Sequence, residues 1–220
     1  MSMLLAIDTA TRMLGVALHD GAQVLSESIW FGDGHHTSEL APEVALAMRR
    51  VGIEPSDLTT VAVAVGPGSY TGLRIGLALA KGLSLAYNLQ LVGIPTLDIL
   101  ASAQPFREDP MLAVLQVGRG RVAAVWYKWS RKGWSARKGA LTLKWEELQR
   151  ELKQTTYICG ELDPESREAL RNAEFVALAP PALCVRRPSF LAELGLEKVR
   201  QGKLDDPANL APIYLDTSAA

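Results

Sequence analysis

A glycine-rich segment between an apolar run and a helix-forming run most constrains how this chain can fold. The segment Val65–Gly76 reads VGPGSYTGLRIG; it follows the β-branched run at residues 60–65 and precedes a helix-forming run at residues 77–86. A glycine-rich turn at the start of a helix can present backbone N–H groups to an anion. It can equally let another backbone approach closely, because glycine has no Cβ. The segment predicts a strand–turn–helix unit whose use stays open between these two roles.

The length and charge of the chain exclude several classes of protein. Its 220 residues suffice for one large domain or two small ones, and 48% hydrophobic with 21% charged residues is typical of a globular protein. A formal net charge of −1 gives no basic excess that would hold a phosphate backbone unaided. A stand-alone nucleic-acid-binding protein is therefore not expected, whereas a role on RNA through a partner stays open.

The apolar stretches predict core elements rather than targeting or membrane segments. Asp8 and Arg12 interrupt the first apolar run, so we expect no signal peptide there. The longest apolar stretch, residues 76–94, contains Lys81, which argues against a membrane span. We therefore expect a cytoplasmic protein.

The order of the predicted elements indicates two halves. Residues 1–104 read as a β-meander, a helix, a strand, the glycine segment with its helix, another strand and a short helix. A stretch with two prolines and several charges, residues 104–110, marks the boundary. Residues 105–220 form a second strand-rich half that ends in an amphipathic helix at residues 189–201. This order predicts an α/β fold with two mixed sheets covered by helices.

Small side chains recur every four residues along the glycine segment, at Gly68, Gly72, Gly76 and Ala80. Residues four apart share a face of a helix, so a close-packed ridge is expected from about residue 71 onward. The partner of that ridge is either another element of the same domain or another subunit. Ser69, Tyr70 and Thr71 are predicted to form the N-cap region of the helix.

Other candidate sites are weaker. Arg74 follows one turn into the helix, where we expect an outward salt bridge or a contact with a partner or a phosphate. His35, His36 and Glu39 favour an exposed or capping role over metal binding, with an interface contact as second choice. No Gly-x-Ser-x-Gly elbow is present, so a peptidase is not expected. The two cysteines are predicted to be small buried hydrophobic residues: Cys159 and Cys184.

The first predicted hairpin resembles that of the actin/Hsp70/sugar-kinase superfamily, in residues 4–11 and 15–18. In that superfamily an Asp-containing turn faces nucleotide phosphates, which makes Asp8, Thr9 and Thr11 nucleotide-facing candidates. The alternative is an aspartate that caps a turn. That alternative is favoured, because this turn lacks the glycine that lets a phosphate approach the backbone in typical members.

A more specific resemblance is to the bacterial TsaB (YeaZ) family. It rests on residues 66–76, 81–83 and 92–97, with further matches at 36–37 and 211–215. The resemblance implies a non-catalytic scaffold or activator in the formation of threonylcarbamoyladenosine at position 37 of tRNAs reading codons that start with adenine. The catalytic paralogue, TsaD, carries two metal-binding histidines where this chain has Thr96 and Leu100.

The resemblance also implies partners. It predicts a heterodimer with TsaD, a homodimer through the helix after Gly72, recruitment of the ATPase TsaE and indirect contact with tRNA. The resemblance implies no cofactor for this chain and leaves ATP and Mg²⁺ open at the level of the complex. The runner-up function is a nucleotide-binding ATPase or phosphotransferase of the same superfamily. The expected partner interface comprises His36, Gly66, Pro67, Gly68, Ser69, Tyr70, Thr71, Gly72, Arg74, Ile75, Gly76 and Ala80.

The second half combines basic and aromatic residues, which bind RNA in some proteins by charge and stacking. A half-exposed sheet face with solvated charges is the favoured alternative. The turn Gln116–Arg121 departs from the Asp-Ala-Arg-like turn usual in the family, so no role is predicted for it. The residues concerned are Arg119, Arg121, Trp126, Tyr127, Trp129, Arg131, Lys132, Trp134, Arg137 and Lys138.

Overall fold

A computed structural model describes residues 2–32, 36–117, 121–131 and 133–215, and only the backbone of residues 36 and 37. The chain divides into two units. The first comprises Met1–Ile99 and Arg186–Ile213, and the second comprises Leu100–Val185 with the residues from Tyr214 onward. The first unit is therefore built from two separate stretches of chain.

The first unit contains a five-stranded mixed sheet in the order β3-β2-β1-β4-β5. Strands β1, β2 and β3 form an antiparallel meander, and β4 and β5 join it in parallel. The central strands β1 and β4 are buried on both faces, which explains their nearly continuous apolar sequences. The bounds are β1 (Leu4–Asp8), β2 (Met13–His19), β3 (Val24–Phe31), β4 (Thr60–Gly66) and β5 (Gln90–Pro95).

Helices cover both faces of this sheet. Alternate strand residues divide between two cores: Leu5 and Ile7 pack with α1 and α2, whereas Leu4 and Ala6 pack with α6. Strand alternation places these two sets on opposite faces. The bounds are α1 (His36–Val51), α2 (Tyr70–Tyr87), α3 (Thr96–Ser102) and α6 (Pro188–Arg200).

Helix α6 packs on the first sheet, although the sequence prediction placed it in the second half. Leu191, Ala192 and Leu196 are buried against the face that carries Leu4 and Ala6. The approach is close: a Cβ added at Gly195 would lie 2.8 Å from the Cβ of Ala62. The amphipathic pattern predicted the helix, but it carried no information about which sheet would receive it.

The second unit repeats the strand order of the first. Strands β6, β7 and β8 form an antiparallel meander, β10 and β11 extend the sheet in parallel, and β9 also pairs with β7. The bounds are β6 (Met111–Gln116), β7 (Arg121–Ser130), β8 (Gly133–Ala136), β9 (Leu141–Lys144), α4 (Trp145–Glu151), β10 (Thr156–Glu161), α5 (Pro164–Arg171) and β11 (Val176–Leu178).

Two mixed sheets with one strand order and helical cover confirm the predicted α/β architecture. Within the described residues, no helix combines the length and apolar character needed to cross a membrane.

Candidate interaction site around the glycine segment

The glycine turn between β4 and α2 is closed by backbone from its own unit. A Cβ added at Gly66 would lie 2.5 Å from the carbonyl oxygen of Ile213, and one at Gly68 would lie 2.3 Å from that of Ala10. The Ser69 N–H donates to the same Ala10 oxygen at 2.6 Å. The two glycines therefore permit close backbone approach, which is the second of the two roles that the sequence left open.

Two further N–H groups of this segment have partners within the unit. The Gly66 N–H donates to Thr96 Oγ1 at 3.1 Å, and the Gly72 N–H donates to Ser69 Oγ at 3.2 Å. The latter bond makes Ser69 the N-cap of α2, in agreement with the predicted capping region. Together with the Ser69 N–H, these groups bond within the unit instead of facing a phosphate.

The ridge of small residues on α2 faces inward. Gly72, Gly76 and Ala80 are buried, and a Cβ added at Gly76 would lie 2.3 Å from Thr9 Oγ1. Thr9 Oγ1 also donates to the Gly72 carbonyl oxygen at 2.7 Å. The small side chains let α2 approach the end of β1, so the close packing around Gly72 and Gly76 is with an element of the same unit.

The opposite side of α2 is exposed and apolar. Together with the start of α1 it lines a groove of about 430 Å³, which we call the α1–α2 groove. Tyr70 is 55% exposed, and its ring lies 3.8 Å below the guanidinium carbon of Arg74. Arg74 thus stacks on a neighbour one turn away. The groove is lined by Leu40, Ala41, Tyr70, Thr71, Arg74, Ile75, Ala78 and Leu79.

The histidines near α1 provide no visible metal site. His35 and the side chain of His36 lie outside the described residues. Glu39 accepts a hydrogen bond from the Trp30 indole N–H at 2.9 Å, which ties it to β3. Over the described ranges, no three His, Cys, Asp or Glu side chains are grouped so that they could hold a metal ion.

The candidate nucleotide-facing turn after β1 is occupied by an arginine from a distant part of the chain. Arg186 donates through Nε to Asp8 Oδ2 at 2.8 Å and through Nη2 to Thr11 Oγ1 at 3.0 Å. The Ala10 N–H donates to Asp8 Oδ1 at 2.9 Å. Asp8 is 1% exposed and Arg186 is 2% exposed. The ion pair is therefore part of the core.

This arrangement does not fit a magnesium–nucleotide complex. A cation needs accessible carboxylate oxygens, whereas both oxygens of Asp8 are engaged and buried. Thr9 and Thr11 likewise bond within the unit. The sequence analysis identified Asp8 but missed Arg186. The one available signal is that a carboxylate in a buried strand needs a cation, and this does not say which residue supplies it.

No nucleophile–histidine pair is formed in the described part of the chain. His19, the one histidine whose side chain is described, accepts from the Gly21 N–H at 2.9 Å and lies 3.3 Å from Glu193. Both cysteines are buried and free, as predicted, and burial raises the pKa of the Cys159 thiol. Burial thus disfavours the reactive thiolate form of Cys159.

In the second unit, polar residues meet where β6 and β10 end. The Gln116 amide donates to Asp163, whose other oxygen accepts from the Ser166 N–H at 2.7 Å and caps α5. The Ser166 backbone N–H, followed by the Gln116 amide, holds the pKa of Asp163 below its ordinary value. Gly118, Arg119 and Gly120, which belong to the unassigned turn, lie outside the described residues, as does Lys132.

Sequence comparison with known proteins shows the family of this chain. The family model for TsaD, tRNA N6-adenosine threonylcarbamoyltransferase, matches residues 32–155. The Bacillus subtilis tRNA threonylcarbamoyladenosine biosynthesis protein TsaB is 28% identical over 99% of this chain and 95% of its own length. Its Escherichia coli counterpart is also 28% identical, over 99% and 96%. The chain belongs to the TsaB (YeaZ) branch of the TsaD family.

Solved structures support the fold of this TsaB-family chain. YeaZ from Pseudomonas aeruginosa aligns over 98% of this chain and 100% of its own with a TM-score of 0.80, at 21% identity. A second Pseudomonas aeruginosa structure, described as similar to the peptidase YeaZ, gives a TM-score of 0.82 at 22% identity. These alignments confirm the predicted fold of two mixed sheets covered by helices.

The similarity to the transferase itself is shorter. The Bacillus subtilis tRNA N6-adenosine threonylcarbamoyltransferase is 36% identical over 97 residues, which span 43% of this chain and 28% of that enzyme. The TsaB-family chain thus shares one segment with the transferase and its whole length with TsaB proteins.

Proposed function

We propose that this chain is a non-catalytic subunit for threonylcarbamoyladenosine formation at position 37 of tRNAs reading codons that start with adenine. In this proposal a TsaD-type transferase carries out the chemistry, and the chain binds it through the α1–α2 groove. The full-length similarity to two proteins named for this biosynthesis supports the pathway. The groove supports the mode of action.

The single observation that carries the proposal is the apolar outer surface of α2. Large exposed apolar areas on globular proteins mark interaction sites, because leaving them in water is unfavourable. Ile75, Ala78 and Leu79 continue the groove along α2, and Leu85, two turns further, is 73% exposed. A partner helix placed along this surface would cover all four side chains.

The residues at the positions of the transferase histidines support a non-catalytic role. Thr96 is fully buried, and its hydroxyl accepts from the Gly66 N–H. Leu100 is also fully buried. A hydroxyl already engaged in the turn and an aliphatic side chain do not replace two imidazole ligands of a catalytic divalent metal.

The same groove accounts for the other proposed partners. A second copy of the chain would bury the same surface in a homodimer, so homodimer and TsaD heterodimer would compete. TsaE would bind after the heterodimer has formed, and tRNA would reach this chain through the complex.

A charge placed in the groove tests the proposal. We expect Ala78→Glu to abolish capture of the TsaD-type transferase and the dependent modification of tRNA, because Ala78 is exposed and lines the groove. Ala169→Glu, at an exposed alanine of α5, is the matched control and should bind normally. Circular dichroism would verify that both variants are folded.

Two outcomes would contradict the proposal. Normal binding and normal stimulation by folded Ala78→Glu would remove the groove from the interface. Transfer of the threonylcarbamoyl group from threonylcarbamoyl-AMP to tRNA by the purified chain alone would remove the non-catalytic role.

A further inference from the structure

Positive charge is concentrated in one stretch of the second unit. Residues 110–145 contain eight Lys and Arg residues and no Asp or Glu, whereas the whole chain has a net charge of −1. The same stretch holds four of the five tryptophans of the chain. A chain that is acidic elsewhere thus carries a local cationic and aromatic segment.

The fold gathers part of this segment into two adjoining cavities beside the β7–β8 hairpin. One, of about 440 Å³, is lined by Lys128, Trp129 and Arg137, together with Glu108 and Asp109. The other, of about 420 Å³, shares Arg137 with the first and adds Trp126, Lys138, Lys153 and Glu151. We call these two cavities together the basic groove.

The cations of the basic groove are not tied up in ion pairs with other described residues. Lys128, Arg137, Lys138 and Lys153 are all exposed. In the described part of the chain, none of them forms an ion pair with a carboxylate, although other arginines of the chain do. These four charges are exposed to an external anion, and the lining of the basic groove holds four cations against the carboxylates of Glu108, Asp109 and Glu151.

Trp129, one of the two tryptophans that line the groove, is held by two neighbouring rings. Trp129 is 37% exposed, and its ring meets Phe106 and Trp134 edge-on with centroids 5.2 Å apart in each case. The Trp134 indole N–H donates to the Gln104 carbonyl oxygen at 3.2 Å. These edge-on contacts hold the Trp129 ring, which stays partly exposed beside the cations of the groove.

We propose that the basic groove binds an unpaired stretch of the tRNA on which the complex acts. Exposed cations beside a fixed aromatic ring match the alternation of phosphates and bases in single-stranded RNA, since phosphates pair with cations and bases stack on rings. An acidic peptide would use the cations but not the ring. This inference rests on the proposed function, because that function supplies the RNA.

Binding of a fluorescent, unmodified tRNA transcript to the full chain tests the inference. We expect the Lys128→Gln/Arg137→Gln variant to reduce the slope of log affinity against log salt by about 1.5, since two fewer phosphates are neutralised. Trp129→Ala should weaken binding roughly tenfold through lost stacking. Arg200→Gln/Lys203→Gln, at exposed cations in and after α6, is the matched control and should bind normally.

Competitors separate stacking from charge alone. An unstructured RNA should displace the tRNA, whereas heparin and duplex RNA at equal charge should displace it less effectively. Equal displacement by heparin, an unchanged salt slope in the Lys128→Gln/Arg137→Gln variant, or no binding below roughly 100 μM would overturn the inference.

The two proposals can fail separately. Suppose that the chain stimulates the transferase, and that the basic-groove variants match the unmodified chain in stimulation and in tRNA binding. Then only the assignment of tRNA binding to the basic groove fails. If the chain gives no stimulation of modification by the transferase, the proposed function fails whatever the tRNA binding shows.

Discussion

The two units of this chain share a strand order but differ in what they add to it. After β4 the first unit places α2, a helix of 18 residues with an exposed apolar side. After the corresponding strand β10, the second unit places α5, a helix of 8 residues with a polar exposed side. The second unit instead carries the β7–β8 hairpin with the basic groove beside it. One topology has thus been used for an apolar surface in one unit and a charged surface in the other.

The ends of the corresponding strands β1 and β6 should differ most. We expect Asp8→Ala to destabilise the protein by about 3–5 kcal/mol, because it leaves the Arg186 charge buried without its carboxylate. Gln116→Ala removes a partly exposed hydrogen bond to Asp163 and should cost about 1 kcal/mol. Urea unfolding of both variants measures the difference.

If Asp8→Ala does not fold, a milder variant still allows the two strand ends to be compared. Asp8→Asn keeps the shape and some hydrogen bonds but removes the charge, and should still cost more than Gln116→Ala. Equal losses at the two strand ends would show that the buried ion pair is not a special feature of the first unit.

The packing of α2 should give the next largest effect. We expect Gly76→Ala to destabilise by about 2–3 kcal/mol, since its Cβ would lie 2.3 Å from Thr9 Oγ1. Gly82→Ala, on the same helix, meets nothing within 4 Å and should stabilise by about 0.5–1 kcal/mol through helix propensity. Thermal unfolding compares the two, and the same sign for both would contradict the inward orientation of Gly76.

The N-caps of the two corresponding helices should give the smallest effects. Ser69→Ala in α2 and Asp163→Ala in α5 should each cost about 1 kcal/mol near pH 7. The pKa of Asp163 is lowered from 3.8, so its contribution is present above that pH and is lost as the pH falls through the lower folded value.

Unfolding measured at pH 7 and pH 3 separates the two caps. The penalty of Asp163→Ala should shrink at the lower pH, whereas that of Ser69→Ala should not change, because serine does not titrate there. A constant penalty for Asp163→Ala would mean that its charge contributes nothing to capping.

The sequence predicted those features that depend on local patterns. The strand–turn–helix unit around Gly66, the capping by Ser69 and the buried cysteines follow from composition and spacing within a few residues. The side on which the ridge of α2 packs does not, because four-residue spacing describes a face but not its neighbour. The spacing suits a subunit interface as well as a neighbour in the same unit, and in the structure Thr9 lies against Gly76.

Long-range pairing was beyond the sequence for a related reason. Asp8 and Arg186 are separated by 178 positions, and nothing near either residue indicates the other. Helix α6 was predicted from its amphipathic pattern, but its apolar face would suit either sheet. Which surface receives it depends on shape, such as the space above Ala62 that Gly195 fills.

The discontinuous first unit has a consequence for synthesis on the ribosome. Its sheet lacks cover on one face, its buried Asp8 lacks Arg186, and its glycine turn lacks Ile213 until residues 186–213 have been made. The strands and helices β6 to β11 of the second unit, in contrast, lie in one continuous stretch that emerges earlier. The second unit can therefore complete its sheet before the first unit does, although the first unit begins the chain. Until residues 186–213 have been made, an apolar face of the first sheet stays exposed and is accessible to chaperones.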